Sequence, residues 1–371
     1  MERPRFLVLR LGAVGDVVRT IPAVKALKDY YPSSYIAWVV EEPSRALLES
    51  QPEIDQVILF PRKRWGGSIR SAATIWETMG EVRGFVADLR SPKFDIVLDF
   101  HGILKSGLLS FFSGAPKRIG FDRRASKEGN FLFSNVRVKL EEEKVSRFRR
   151  NLYLLRGIGL EVKGLRQNLH IPQKDQEYVD SFFEGLSVRA DGPLIAIHPG
   201  TSPKTSYKRW MADQYSQLAD RLIGELGASV IFTWGPEELR WVEAIQKEMV
   251  KASILGPKTE SLTQLGGVFR HCDLYVGGDT GPMHIASCLG VPVVVIYGPT
   301  DPIVNEPVGR HRKVRKEIGC SPCRKRSCKE LACLRAVTAD DVFDAVREIL
   351  GETGLGLGSD SGEGKGLECL S

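Results

Sequence analysis

Asp273-Leu-Tyr-Val-Gly-Gly-Asp-Thr-Gly-Pro-Met-His284, followed by Val291-Pro-Val-Val-Val-Ile-Tyr-Gly-Pro-Thr-Asp301, decides how this chain folds. Leu274 to Val276 is an apolar run with the length of a buried strand. Gly277-Gly278 ends it. Asp279-Thr280-Gly281-Pro282 then carries the residues of a helix start, with Pro282 tolerated because an N–H in the first turn has no helical partner anyway. The helix is expected to run to about Leu289, and a second apolar strand follows at once. Strand, tight turn, helix, strand is a βαβ unit. Its turn lies at the carboxyl end of a strand, where open α/β sheets bind ligands. Free N–H groups and the helix dipole suit an anion there. Asp279, Thr280 and His284 either surround that ligand or simply cap and pack the helix.

The same alternation runs outward in both directions. Strands are expected near 5–11, 35–40, 56–60, 94–99 and 117–120, then near 194–198, 228–234, 253–255, 273–276 and 292–297. Helices are expected near 15–30, 43–50, 69–90, 103–112 and 145–158, then near 211–226, 236–250, 261–270, 281–289 and 338–350. Alternating β and α predicts α/β domains with parallel sheets covered on both faces. A chain of 371 residues exceeds one ordinary core. Residues 1–165 and 191–350 are read as two such domains and polar residues 166–190 as the linker. Residues 351–371, rich in Gly, Ser and Glu, read as a disordered tail.

Composition narrows the class. Hydrophobic residues make up 42% and charged residues 26% of the chain, as in soluble globular proteins. No apolar run reaches the roughly 18 residues of a membrane span. Met1-Glu-Arg-Pro-Arg5 lacks the apolar core of a signal peptide, so a cytoplasmic location is expected. Charge is uneven: residues 1–165 hold 28 Lys and Arg against 19 Asp and Glu, the remainder 24 against 27. This fits either an acidic partner for the N-terminal half or a merely solvated basic surface, with no nucleic acid implied. Four of the seven cysteines cluster as Cys320-x2-Cys323-x4-Cys328-x4-Cys333. Four thiolates can complete a tetrahedral zinc site, but the spacing is not that of a two-CxxC ribbon, so plain thiols or disulfides stay open.

Other strand ends carry chemistry. Arg10-Leu-Gly12-Ala-Val-Gly15-Asp16 has two glycines for a sharp turn and close ligand approach. It lacks the third glycine of a dinucleotide fingerprint and the Lys-Ser/Thr of a P-loop, which argues against hydride transfer. Asp16 fits either a helix cap or a general base. Leu194-Ile-Ala-Ile-His198-Pro-Gly200-Thr201-Ser202, with Lys204, Lys208, Arg209 and Trp210 beyond, suits a diphosphate or a basic surface loop equally. In Thr233-Trp-Gly-Pro-Glu237-Glu238 the acidic pair holds ribose hydroxyls or starts a helix. Asp99-Phe-His101-Gly102, with Lys105 and Ser106 one turn on, puts His101 in the crevice or at a silent sheet edge.

Together these motifs resemble glycosyltransferase family 9, the bacterial lipopolysaccharide heptosyltransferases, from Phe6 to about Leu350. The carriers are Gly12-x-x-Gly15-Asp16 with Thr20-Ile-Pro22-Ala, Asp99-x-His101-Gly with Lys105-Ser106, and Arg118-Ile-Gly120-Phe. His198-Pro-Gly, Lys208-Arg-Trp210, Trp234-Gly with Glu237-Glu238, Asp279-Thr-Gly-Pro-Met-His284 and Gly298-Pro-Thr-Asp301 complete the set. The resemblance implies a GT-B fold: two Rossmann-like doubly wound parallel-sheet domains facing a central crevice, acceptor in the first and donor in the second. It implies metal-independent, inverting transfer of L-glycero-D-manno-heptose from ADP-heptose to the Kdo/heptose inner core of lipopolysaccharide. No cofactor is required, and the enzyme would sit peripherally at the cytoplasmic face of the inner membrane.

By that resemblance Asp16 is the general base and Lys208 neutralises the donor phosphates. Thr201, Ser202, Asp279, Thr280, Gly281 and His284 line the donor turn, and Glu237 or Glu238 holds the ribose. On the acceptor side stand Gly15, His101, Lys105, Arg62, Arg64 and Arg118. Lys63, Arg70, Arg123, Arg124 and Lys127 also lie in or after loops that would rim the crevice and attract an anionic glycolipid. Met211 departs from the family, which often has proline there, and the cysteine cluster occurs in only part of it. Other nucleotide sugars or acceptors, or a non-catalytic nucleotide-binding role, are the remaining alternatives.

Overall fold

Strands buried on both faces must be apolar throughout, and the central strands here are. A computed structural model of the chain describes residues 3–67, 72–162, 164, 167–186, 192–323, 325 and 327–353. The first sheet contains β1 (Arg5–Leu9), β2 (Tyr35–Val40), β3 (Gln56–Leu59), β4 (Ile96–Asp99), β5 (Lys117–Phe121) and β6 (Val136–Val138). The second contains β7 (Leu194–His198), β8 (Ser229–Phe232), β9 (Ile254–Leu255), β10 (Leu274–Gly278), β11 (Val293–Ile296) and β12 (His311–Val314). Phe6 to Leu9 and Ile195 to Ile197 are fully enclosed.

The sheets share one topology. The order is β3-β2-β1-β4-β5-β6 in the first and β9-β8-β7-β10-β11-β12 in the second, all pairs parallel. Leu7 lies between Ala37 and Val97, and Val276 lies between Ile197 and Val294. Strand order reverses between β1 and β4 and between β7 and β10, which opens a ligand crevice at the carboxyl ends of those strands. The turns after β1 and β10 are the two glycine-rich turns of the sequence.

Several expected elements shift. The helix expected over 15–30 is two, Val14–Val18 and Ile21–Tyr30, interrupted at Arg19 and Thr20. Strands β6 and β12 were not expected: one has three residues, and His311-Arg-Lys-Val314 is a charged edge, the composition that protects a sheet edge. Within the expected linker, Gln173–Glu184 is a helix. It buries little beyond Val179 and Asp175, whose carboxylate accepts the Thr263 hydroxyl. The expected tail begins too early, since helix Ala339–Thr353 runs through its first three residues. Residues 354–371, with Arg166 and Ser187 to Ala190 of the linker, lie outside the described residues.

The halves meet directly. Helix Val14–Val18 packs on helix Gly281–Cys288. A Cβ at Gly15 would lie 3.1 Å from the His284 ring, and one at Gly281 would lie 3.2 Å from Val14, so glycine lets these two backbones approach. Arg147 N–H donates to Val304 O at 3.1 Å, Arg19 Nη1 donates to Asn305 Oδ1 at 3.1 Å, and Lys144 pairs with Asp301 at 3.4 Å.

Candidate active site

The crevice holds a cavity of about 650 Å³ with walls from both halves. On the N-terminal side β1 delivers the chain into a tight turn, and Asp16 projects from the short helix that follows. Its carboxylate is held by the guanidiniums of Arg10 and Arg19, and by Arg147 Nη1 at 3.2 Å. Burial alone would raise its pKa. The three cations outweigh burial and hold Asp16 well below the usual carboxylate range.

Behind this turn a buried network fixes the end of β4. Asp99 accepts from His101 N–H (3.0 Å), Gly102 N–H (3.1 Å), Ser106 Oγ (2.8 Å) and Asn130 Nδ2 (2.7 Å). His101 Nδ1 accepts from Leu11 N–H at 3.2 Å, which leaves the neutral ring with its proton on Nε2. Burial, reinforced by Arg10, lowers its pKa to about 3. The Asp-x-His-Gly and Ser106 signature is thus a brace that couples β4 to the Asp16 turn.

The C-terminal wall is built by three strand ends. After β7, Trp210 is driven into the core, where its Nε1 donates to Val337 O at 2.9 Å. Arg209 clamps Thr201, donating to its hydroxyl at 3.1 Å and its carbonyl at 2.6 Å. Lys208 is left facing the cavity, its Nζ donating to Asp279 O at 3.1 Å and Asp279 Oδ2 at 3.2 Å. After β8, Glu238 accepts from Gly235 N–H at 2.7 Å and approaches His198 Nε2 at 3.4 Å. A Cβ on Gly200 would sit 2.1 Å from Glu238 Oε2, so the glycine of His-Pro-Gly makes room for this carboxylate.

After β10, Thr280 is the N-cap of helix Gly281–Cys288 and makes no side-chain capping bond. The first N–H groups of that helix are left for an anion. Burial would raise the Asp279 pKa, but neighbouring His284, Lys208 and Arg19 hold it below the carboxylate range. His284 is buried with neither ring nitrogen hydrogen-bonded, Nε2 standing 3.7 Å from Asp279 Oδ1. A buried ring nitrogen left unpaired on a cavity wall has hydrogen-bonding capacity to offer a ligand.

Burial, then the Arg19 charge, lowers the His284 pKa to about 4 from an ordinary 6.5. Both His284 and His101 titrate lower when folded, so the unfolded chain binds their protons first. Their contribution to stability is complete above about pH 6.5 and is lost as pH falls, through about 4 for His284 and about 3 for His101. For His284 the loss is at most about 3 kcal/mol. Thermal melts should show a midpoint that drops between about pH 7 and pH 4.5, with a shallower slope in His284→Asn. A flat profile would show that His284 is not buried neutral.

The sequence profile of glycosyltransferase family 9 (heptosyltransferase) matches residues 82–333. The chain belongs to glycosyltransferase family 9. Lipopolysaccharide core heptosyltransferase OpsX of Haemophilus influenzae is 28% identical over 313 residues, 82% of each chain. The glycosyltransferase family 9 structure from Veillonella parvula superposes with a TM-score of 0.75 at 24% identity, covering 95% of this chain and 99% of that one. The E. coli heptosyltransferase WaaC with ADP gives 0.71 at 23%, covering 93% and 99%. The two structures share the fold, and this family member is a glycosyltransferase with the GT-B architecture.

The crevice of this family 9 chain gathers Gly15, Asp16, Thr201, Ser202, Lys208, Glu238, Asp279, Thr280, Gly281 and His284 on one cavity. Glu238 is buried there, whereas Glu237 is exposed. Apart from Gly15, the expected acceptor residues stand elsewhere. His101 is absent from the cavity wall, and Lys105 Nζ lies over the Phe60 ring at 5.4 Å. Arg62 pairs with Glu41 at 3.2 Å, and Arg64 pairs with Glu81. Arg118 donates to Phe133 O at 2.9 Å and Ala115 O at 3.0 Å. Arg70 and the Lys63 side chain lie outside the described residues.

Arg10, Arg19, Arg147 and Asn305 were missed. The sequence signal was the arginines flanking the Gly-x-x-Gly-Asp turn and the basic run Arg147-Phe-Arg-Arg150. Among the described residues no group of three or more His, Cys, Asp or Glu is placed to hold a metal ion. Cys320, Cys323, Cys328 and Cys333 are free thiols.

Proposed function

We propose that this protein is an inverting heptosyltransferase, moving L-glycero-D-manno-heptose from ADP-heptose to the Kdo/heptose inner core of lipopolysaccharide at the cytoplasmic face of the inner membrane. The observation that carries this reading is a single cavity with a carboxylate from one half facing an uncapped helix N-terminus and a lysine from the other. The names of its relatives, and the ADP in the E. coli WaaC structure, supply the donor class.

In this reading the diphosphate sits on the N–H groups at Gly281 with Lys208 beside it, Glu238 takes the ribose, and the heptose lies between His284 and Asp16. The acceptor oxygen attacks C1 from the face opposite the diphosphate. The C1–O bond to ADP breaks, and the hydroxyl proton passes to Asp16. A carboxylate held this low is a weak base, so it takes the proton late, once bond formation has made the hydroxyl strongly acidic. The acceptor's own carboxylates and phosphates would draw on Arg147 and Arg150, which line a small recess with Asp16. This competition loosens the cations from Asp16 as the acceptor arrives.

The direct test is mass spectrometry of the product from ADP-heptose and a defined Kdo-lipid A acceptor. The expected product gains one heptose; transfer only from another nucleotide sugar would favour the alternative donor. Activity is also expected to survive EDTA, because Lys208 and the helix N-terminus can stabilise the leaving diphosphate. A strict Mg²⁺ or Mn²⁺ requirement, measured by restoring each ion, would contradict that assignment.

A further inference from the structure

Helix Leu104–Phe112 is inside out. Its buried residues include Ser106, Gly107 and Ser110, while Leu104, Leu108, Phe111 and Phe112 face solvent. An ordinary surface helix does the reverse. The small residues are required inside: Ser106 hydrogen-bonds to Asp99 at 2.8 Å, and a Cβ on Gly107 would meet the Phe133 ring at 2.6 Å. Beside the stripe, Leu132 is 67% exposed. It is presented rigidly, since Asn130 is tied to Asp99 at 2.7 Å and to Ile103 O at 2.8 Å, and Phe133 packs on the helix. Five large apolar side chains therefore share one face.

The segment around that face is rich in positive charge, with one carboxylate at its edge, Glu128 Oε2, accepting from Leu104 N–H at 3.3 Å. Residues 104–139 carry eight Lys and Arg against two Asp and Glu. Arg118 lies over the Phe111 ring at 5.9 Å and Arg137 over the Phe131 ring at 5.6 Å, while Arg123, Arg124 and Lys127 are exposed in the adjoining loop. Apolar side chains with basic residues around them match the interface of a bilayer with anionic headgroups. The helix begins three residues after His101, whose ring accepts from Leu11 N–H, so the stripe starts close behind the Asp16 turn.

We propose that the outer face of helix Leu104–Phe112, with Leu132 and its surrounding cations, is the surface by which this protein sits on an anionic membrane. Nine residues of helix insert too little apolar area to hold a protein alone. The neighbouring basic residues supply the second attraction that stable but reversible anchoring needs. No helix among the described residues is long and apolar enough to cross a membrane. The inference rests on the membrane contact within the proposed function, and vesicle binding is read without turnover so that each can fail alone.

The test sediments the full chain with vesicles of phosphatidylglycerol and phosphatidylethanolamine, and separately with phosphatidylcholine vesicles. Binding is expected to be about tenfold or more stronger to the anionic vesicles and to weaken as salt shortens the screening length. Phe111→Ser combined with Phe112→Ser should lower anionic-vesicle binding about tenfold or more, with turnover on a deacylated, water-soluble acceptor unchanged. Phe111→Trp should retain binding and show blue-shifted emission on the same vesicles. Equal binding to both vesicle types, wild-type binding by the double serine variant, or unshifted emission from sedimented Phe111→Trp would each overturn the proposal. So would loss of soluble-acceptor turnover in the serine variant, which would assign the face to acceptor recognition. A wild-type dimer that binds no vesicles and becomes monomeric in the serine variant would assign it to a second copy.

Discussion

Asp16→Asn is expected to slow turnover by roughly 10²–10⁴-fold, with ADP affinity little changed because the ADP-contacting groups proposed here belong to the C-terminal half. The asparagine keeps the shape of the side chain but cannot accept the acceptor proton. It also leaves Arg10 and Arg19 buried without their counter-charge, a change on the order of 3–5 kcal/mol in stability. Rates should therefore be compared at a temperature where calorimetric ADP binding shows both proteins folded. Arg147→Gln separates a base from a structural anchor. Arg147 is the most exposed of the three partners, and its loss lets the Asp16 pKa rise. If Asp16 is the base, the acid limb of the kcat profile moves to higher pH in Arg147→Gln; a structural anchor would leave that limb in place. Near-native turnover in Asp16→Asn would remove it from the chemistry.

What was legible in the sequence follows from how local each signal is. β1, β7, β10 and β11 each contain an apolar run of three or more residues, and each run is followed by glycine or proline punctuation. Asp279 follows β10 at once, and His284, Asp16 and Lys208 stand six, seven and ten residues beyond the ends of β10, β1 and β7, so reading the strands located them. The guanidinium cage could not be read in the same way. Arg147 reaches Asp16 from 131 residues away, and Arg19 reaches Asn305 from 286 away. The fold of the N-terminal half brings the first pair together, and the packing of one half on the other brings the second. Glu237 and Glu238 are adjacent on the chain, so pattern cannot separate them. The empty volume at Gly200, filled by Glu238, does. The charge imbalance gave the sign of the N-terminal half but not the address. Arg62, Arg64 and Arg118 are engaged with Glu41, Glu81 and backbone carbonyls, while Arg10, Arg19 and Arg147 hold the site. The inverted helix Leu104–Phe112 shows the same limit, because its composition is that of a core helix and only the surrounding fold turns its large residues outward.

Lys208→Ala is expected to weaken ADP binding by about ten- to a hundred-fold, the equivalent of one charge-assisted contact of roughly 1.5–3 kcal/mol. The geometry makes this more than the loss of one attraction. Lys208 Nζ bridges the Asp279 carbonyl and carboxylate, and Asp279 is almost wholly buried at the N-terminus of the helix that would receive the diphosphate. Without the lysine, an incoming diphosphate meets that carboxylate with less positive charge between them. Asp279→Ala removes the repulsion along with the lysine's anchor, so ADP itself should bind nearly as before. ADP-heptose should lose more, because the sugar hydroxyls lose an acceptor beside His284. Combining the two substitutions should then cost ADP less than Lys208→Ala alone, a coupling that calorimetry on the four proteins can resolve. Equal ADP and ADP-heptose affinities across all four would mean that the turn after β10 does not hold the donor.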